Sequence, residues 1–175
     1  MEGISPPSVN ENLPTARSWA VAWTKARSEK ALAEYFAGRS IPYFLPLLRT
    51  RRVYDKCIRH SRLPLFPGYV FFDHEAISCR DVFDSRKVAQ ILTPPDPVHL
   101  HNELSSLALA LREDESLRET RFGVAGRPVY VSRGPLKGLC GEFVRFGAQC
   151  RLILRVGFIS LAAELAIDEA FVDPL

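Results

Sequence analysis

The sequence lacks the features of a membrane, secreted or disulfide-rich protein. No apolar run approaches the roughly 20 residues that a bilayer span needs, and the first eighteen residues carry three prolines and no apolar core segment, unlike a secretory signal. Cys57, Cys79, Cys140 and Cys150 form no CxxC pair and no paired spacing of cysteine with histidine, which argues against a disulfide or zinc framework. We therefore expect a monomeric, cytoplasmic protein that does not bind membranes.

Enzyme signatures are missing as well. The sequence contains no Gly-rich phosphate loop, no nucleophile elbow and no His/Glu zinc motif. Cys57 and His60 form a lone Cys-x-x-His, which supplies fewer than the four ligands of a structural zinc site. The acidic pair Asp114 and Glu115 lies in a densely charged segment, where a solvated surface explains it better than acid–base chemistry does. We predict no catalytic residue, no cofactor and no metal.

Positive charge, by contrast, is concentrated in one part of the chain. Between Lys25 and Arg62 there are ten Lys or Arg and three Asp or Glu, a local charge of +7, so the remaining residues carry −4 of the total of +3. This asymmetry favours contact of the basic part with a polyanion. A solvated positive surface without a partner is the alternative that the sequence leaves open.

The first half of the chain alternates between strand and helix signals. Ser18–Thr24 is a short apolar run with aromatic residues, which predicts a strand. Ser28 is expected to cap a helix that ends at Gly38, and residues 41–48 predict a second, irregular strand because Pro42 and Pro46 interrupt it. The basic residues 49–62 lack periodicity and predict a hairpin or a mobile loop.

The second half begins with a helix and continues with short strands. Asn102 is expected to cap an amphipathic helix whose buried stripe consists of Leu104, Leu107, Ala108 and Leu111. After Gly126 the strand candidates are residues 128–131, 139–146, 151–156 and 158–165, which predict a small barrel. The fold class is therefore α+β: an antiparallel sheet flanked by helices, followed by a small β-barrel. The predicted divisions are a flexible tail (1–17), a first domain (18–116), a linker (117–125) and the barrel (126–175).

The segment Leu65–Phe72, Leu-Phe-Pro-Gly-Tyr-Val-Phe-Phe, carries the strongest strand signal of the first half. Alternation places Tyr69 and Phe71 on one face and Val70 and Phe72 on the other. Both faces are apolar, whereas a sheet with one wet face shows polar residues at every second position. Either both faces are covered and the strand belongs to the core, or the face with Tyr69 and Phe71 is kept apolar for a partner.

Two motifs resemble known families. Residues 126–147, with strand residues on either side of Gly134-Pro135 and a second glycine pair at Gly138 and Gly141, resemble a KOW motif. The opening strand from Trp19 to Trp23, followed about forty residues later by Leu-Phe-Pro-Gly-Tyr-Val-Phe, is similar to the amino-terminal domain of the NusG/RfaH family of transcription elongation factors. The two motifs occur in the family's order and spacing, so the resemblance covers nearly all of the chain after the tail.

The resemblance implies a function and a set of contact residues. The family is expected to dock an aromatic patch on the clamp helices of RNA polymerase, bridge the DNA channel and suppress pausing or termination. Its basic hairpin would contact upstream or non-template DNA through phosphates, and its KOW domain would recruit Rho or the ribosomal protein NusE. The corresponding residues here are Trp23, Phe66, Tyr69 and Phe71 for polymerase, Arg49, Arg51, Arg52, Lys56, Arg59 and Arg62 for nucleic acid, and Phe158 for the KOW partner.

The sequence departs from the RfaH branch at two points. Leu63-Pro64 stands where that branch carries the acidic partner of an inter-domain salt bridge, and Ser78–Asp81 does not match its His-Thr-rich loop for the polymerase gate. The tail, the short linker and the loops nevertheless favour a specialised antitermination paralogue over a general NusG. The alternative from another class is a KOW-containing protein that binds RNA or the ribosome, in which the aromatic strand is only core.

Residues 160–170 combine two conflicting preferences. They are rich in good helix formers, yet Leu161, Ala163, Leu165 and Ile167 alternate as in a strand. Such a conflict between local propensity and barrel topology is a feature that a fold-switching domain could use. A switch in fold is a hypothesis from this pattern, and ordinary tolerance of low strand propensity is the alternative.

Overall fold

The computed structural model describes residues 13–14, 18–54, 57–113, 116–120, 123 and 125–175, and the side chains of residues 51–60 lie outside this description. The predicted flexible tail falls outside the described residues, apart from residues 13–14. By its contacts the chain divides into two units, one comprising Met1–Pro46 and Phe66–Val98, the other Leu47–Leu65 and His99–Leu175.

The first unit contains a four-stranded antiparallel sheet with the strand order β2-β5-β1-β6. Its elements are β1 (Trp19–Thr24), α1 (Glu29–Ala37), β2 (Tyr43–Phe44), β5 (Tyr69–Asp73), α2 (Cys79–Asp84) and β6 (Val88–Leu92). Strand β1 lies in the interior of the sheet because it pairs with β5 on one side and with β6 on the other. Val21, for example, lies opposite Phe71 of β5 and opposite Leu92 of β6. Helix α1 packs on one face of the sheet, where the Phe36 ring stacks on Phe72 at 5.2 Å between centroids.

Two details of helix α1 differ from expectation. The Ser28 side chain makes no capping hydrogen bond, because Ser28 does not adopt the extended backbone conformation that aims a hydroxyl at the N–H groups of the first turn. Gly38 follows the last helical residue as predicted, but it keeps a right-handed conformation with φ of −63°. The left-handed turn comes two residues later, at Ser40, with φ of 55°.

The sequence does not predict helix α2 (Cys79–Asp84), because six residues are too short to show a helical period. A capping pair defines its start: the Ser78 hydroxyl accepts the Asp81 N–H at 3.2 Å and donates to the Asp81 carboxylate at 2.6 Å. A serine hydroxyl that accepts the N–H three residues later is a common helix start signal.

The second unit contains a basic hairpin, a long helix and a six-stranded antiparallel sheet. The hairpin consists of β3 (Leu47–Tyr54) and β4 (Cys57–Pro64), and the helix is α3 (Pro97–Glu113), whose first two residues belong to the first unit. Of the two alternatives for residues 49–62, the hairpin is therefore confirmed. Helix α3 begins at Pro97, so Asn102 lies inside it and the predicted cap is wrong; proline suits the first helical position because it lacks the N–H that would have no partner there. The buried residues of α3 are Leu100, Leu104, Leu107, Ala108 and Ala110, whereas the predicted Leu111 is only half-buried.

The six-stranded sheet forms the barrel-like part of the second unit. Its order is β12-β8-β9-β10-β11-β7, with β7 (Arg118–Thr120), β8 (Arg127–Val131), β9 (Cys140–Phe146), β10 (Gln149–Val156), β11 (Leu161–Ala166) and β12 (Val172–Pro174). Strand β7 lies within the predicted linker and pairs with β11. A side chain at Gly141 would place its Cβ 2.7 Å from the Ile153 carbonyl oxygen, so this position of the KOW-like motif requires glycine.

The segment with conflicting preferences is a strand in this structure. Leu161–Ala166 forms β11 and pairs with β10 in a continuous register from Arg151↔Ala166 to Val156↔Leu161. Ala163 and Leu165 are fully buried, which shows that core burial outweighs the helix propensity of these residues. A switch in fold stays a hypothesis.

The α+β class, with an antiparallel sheet flanked by helices followed by a small barrel-like sheet, is confirmed. Within the described residues, no helix combines the length and apolar character that crossing a membrane requires.

Candidate functional site

The candidate site is a row of side chains across three strands of the first unit. Trp23 on β1 lies opposite Tyr69 on β5 and opposite Gln90 on β6, so all three share one face of the sheet. Trp23 is 47% exposed although it belongs to an interior strand, while Tyr69 is half-buried and Gln90 exposed. We call Trp23, Tyr69 and Gln90 the docking row.

The end of the sheet and a glycine turn create this exposure. The pairing of β1 with β6 shifts register between Trp23 and Thr24, which interrupts the ladder directly after the row. On the other side, the turn before β5 contains Gly68 with φ of 89°, a conformation that favours glycine. A Cβ at Gly68 would lie 3.7 Å from the indole Cδ1 and Nε1 of Trp23, so the indole rests beside this turn.

The other two residues expected to bind polymerase are not at the surface. Phe66 is 1% exposed and Phe71 is fully buried, so the expectation that the Phe71 side leaves the core is wrong for Phe71. Its position explains this: Phe71 lies opposite Val21 and Phe44, both fully buried, in the middle of the sheet. On β1 and β5, that face reaches the surface at its end, at Trp23 and Tyr69. A role of Phe66 and Phe71 in binding stays a prediction.

The basic hairpin brings like charges together. Its register places Arg49 opposite Arg62, so two positively charged residues occupy one position of the paired strands. Arg49 is exposed and Arg62 half-buried. Thr50 and Ser61 tie the strands beside this pair, with their hydroxyl oxygens 2.6 Å apart. The side chains of Arg51, Arg52 and Arg59, and all of Lys56, lie outside the described residues.

Comparison with known proteins agrees with this architecture. The family described as transcription termination factor NusG matches residues 17–106, just over half of the chain. The chain belongs to the NusG family. A solved structure of Thermotoga maritima NusG that concerns its domain interaction matches with a TM-score of 0.51 and 17% identity, covering 90% of this chain and 97% of that one. A search of curated proteins gave no significant match.

Members of the NusG family act on transcription and bind RNA polymerase, so this chain is a transcription factor of elongation or termination. The family match covers the first unit and part of the second, and the Thermotoga maritima structure shows the fold alone. The family is one of transcription factors rather than of enzymes.

The structure of this NusG-family chain also shows a basic cluster that the sequence does not predict. The Lys25 N–H donates to the Lys87 carbonyl at 2.8 Å, so the chain after β1 lies beside the chain before β6. Lys25, Arg27 and Arg86 are exposed there, directly beyond the docking row. No local sequence signal joins these residues, because the two segments are about sixty positions apart and meet only through sheet pairing.

Phe158 lies on a short 3-10 turn, Gly157–Ile159, between β10 and β11 and is 36% exposed. The carboxylate of Glu103 on helix α3 holds this turn, since its Oε1 accepts the Gly157 N–H at 2.9 Å. Burial raises the pKa of the Glu103 carboxyl group, although the hydrogen bond from Gly157 and the nearby His99 act to lower it. No local pattern in the sequence joins Glu103 to this turn, because Glu103 is 54 positions away from Gly157.

Proposed function

We propose that this NusG-family chain is a specialised elongation factor that binds the clamp helices of RNA polymerase, bridges the DNA channel and suppresses pausing or termination. One observation carries the proposal: Trp23, the large aromatic of the family's opening strand, is 47% exposed on an interior strand. Exposing an indole to water without a partner is unfavourable, and tryptophan and tyrosine are common anchors of protein interfaces. The docking row is the surface that we assign to the clamp helices.

The hairpin and the cluster around Lys25 supply the nucleic-acid contacts of this proposal. The exposed Arg49 and the half-buried Arg62 supply positive charge for contacts with phosphates. The exposed Lys25, Arg27 and Arg86 add positive charge beyond the docking row. Contacts of this kind hold the backbone of upstream or non-template DNA without reading its sequence.

The barrel-like domain recruits a further factor in this proposal. Phe158 is the anchor, because it is an aromatic side chain presented at the surface by a turn that Glu103 holds in place. Rho and the ribosomal protein NusE are the partners that the family resemblance suggests. The proposed division remains a tail (1–17), a polymerase-binding domain (18–116), a linker (117–125) and a KOW domain (126–175), with β7 pairing to the barrel sheet from within the linker.

An in vitro transcription assay tests the proposal. Core RNA polymerase on a template with a pause site and a terminator is compared with and without the full chain, with Trp23→Ala plus Tyr69→Ala, and with Phe146→Ala as control. Phe146 is a matched control because it is 51% exposed and lies on β9, outside every proposed contact. The wild type and the control should shorten pauses or increase read-through, and the double variant should not. Equal activity of all three folded proteins would exclude the docking row from the function.

A further inference from the structure

Glu29 places a carboxylate where apolar side chains would be expected. It is the first residue of α1 and is 7% exposed, among the few charged residues buried in the described part of the chain. Burial of a carboxylate is unfavourable unless hydrogen bonds compensate for the lost water. Its Oε1 accepts the N–H of Gly68 at 2.7 Å, across 39 positions of the sequence. This short distance is typical of a charge-assisted hydrogen bond.

The hydrogen bond ends at the turn behind the docking row. The Gly68 carbonyl accepts the Thr24 N–H at 2.8 Å, and the Tyr69 N–H donates to the Phe66 carbonyl at 3.3 Å. Gly68 is therefore fixed at its N–H by Glu29 and at its carbonyl by β1. Because the Trp23 indole lies beside Gly68, the orientation of this one glycine determines the surface on which the indole rests.

A role in α1 alone does not account for the arrangement. A glutamate in the first turn interacts favourably with the helix dipole, but it can do so from the solvent, as acidic residues at exposed helix starts do. The Glu29 carboxylate instead points to a turn before a strand of the sheet, and the Ser28 side chain leaves the helix start without a side-chain cap. The carboxylate links α1 to the glycine turn.

We propose that Glu29 is a positioning residue of the docking row: by fixing the Gly68 peptide, it holds the Trp23 indole and the Tyr69 ring in the arrangement that polymerase binds. This inference rests on the proposed function, in which the row contacts the polymerase clamp. Glu29 itself makes no contact with the polymerase in this account.

The experiment uses the full chain labelled with 5-fluorotryptophan. The chain contains two tryptophans, Trp19 at 1% exposure and Trp23 at 47%, so a solvent isotope shift in ¹⁹F NMR assigns the Trp23 signal. Glu29→Ala should move or broaden the Trp23 resonance, leave that of Trp19 in place and weaken binding to core RNA polymerase by about tenfold. Glu29→Gln retains an acceptor oxygen for the Gly68 N–H and should recover most of the affinity. Glu34→Ala, which removes an exposed glutamate from the same helix, should change neither measurement.

The outcomes separate this inference from the proposed function. An unchanged Trp23 resonance and unchanged affinity in folded Glu29→Ala, with only a lower unfolding midpoint, would show that Glu29 is structural and overturn the inference. Equal shifts of both tryptophan signals would also overturn it, since the effect would then be general to the fold. If Trp23→Ala binds polymerase like the wild type, the proposed function fails instead, and the Trp23 resonance in Glu29→Ala still decides whether Glu29 positions the indole.

Discussion

Trp23 and Phe71 share one face of the sheet, but their substitution should affect polymerase affinity differently. Trp23→Ala removes an indole that is about half exposed, so we expect it to lower polymerase affinity and to reduce the free energy of unfolding by about 1 kcal/mol. Phe71→Leu alters a fully buried ring and should cost about 1 kcal/mol of stability, the usual effect of a near-isosteric core substitution. It should leave the affinity within about twofold.

The magnitude for Trp23 follows from its exposure. A tryptophan side chain offers about 250 Å² of surface, and 47% exposure leaves about 120 Å² for a partner to cover. At about 25 cal/mol per Å² the covered area is equivalent to about 3 kcal/mol, or about a hundredfold in Kd. This value is an upper estimate because it assumes complete burial at the interface.

Titration of the fluorescently labelled full chain with core RNA polymerase measures the affinities, and urea denaturation measures the stabilities. A folded Phe71→Leu variant that loses more affinity than Trp23→Ala would refute the reasoning. It would show that the buried part of the face is uncovered when polymerase binds, and that the arrangement seen in this structure is not the one that docks.

Three further predictions concern stability and nucleic-acid binding. The hydrogen bond from Arg155 lowers the pKa of Glu142 below its ordinary value of 4.5. The ion pair therefore contributes its full stabilisation of the folded state at pH values above 4.5. This contribution is lost as the pH falls through the lowered pKa that Glu142 has in the folded state. Glu142→Gln should therefore flatten the decline of the thermal midpoint between about pH 5 and pH 3. Thr24→Val should raise the free energy of unfolding in urea by about 1 kcal/mol, because among the described residues the buried Thr24 hydroxyl has no hydrogen-bond partner. Arg49→Ala with Arg62→Ala should reduce the slope of log K against log salt for duplex DNA by about 1.8 in anisotropy titrations, if each arginine neutralises one phosphate.

The sequence predicted those parts of the fold that depend on local pattern. A short apolar run predicts β1, and alternation of apolar and polar residues predicts the short strands of the barrel. The positions predicted for these strands agree with the structure within a few residues. The basic residues 49–62 predict a hairpin or a mobile loop because they lack periodicity, and the hairpin is correct. Helix starts were less predictable, since a serine or an asparagine signals a cap only if the backbone around it adopts the extended conformation.

The candidate site was only partly predictable, because exposure depends on position in the sheet. Alternation correctly places Tyr69 and Phe71 on one face, but alternation says nothing about where along the strand that face is covered. Phe71 lies between two buried partners and Tyr69 lies at the end of the ladder, a distinction that requires the register. Glu29 and Gly68 are 39 positions apart, and Glu103 and Gly157 are 54 positions apart. No local sequence pattern predicts contacts between residues so far apart.

The strand Tyr69–Asp73 combines two requirements that conflict in an ordinary sheet. A core strand needs apolar side chains on both faces, whereas a strand that docks on a partner, the role proposed for this one, needs an aromatic side chain in water. The solvent exposure of the side chains changes along this one strand. Val70, Phe71 and Phe72 are buried, while Tyr69 at the end of the strand lies opposite the exposed Trp23. The glycine turn before the strand is what makes the end different, because it brings a residue without a side chain beside the indole. Replacing Gly68 with alanine would add strain at a positive φ and a methyl group in contact with the indole, so it should weaken polymerase binding even though alanine itself is small and apolar.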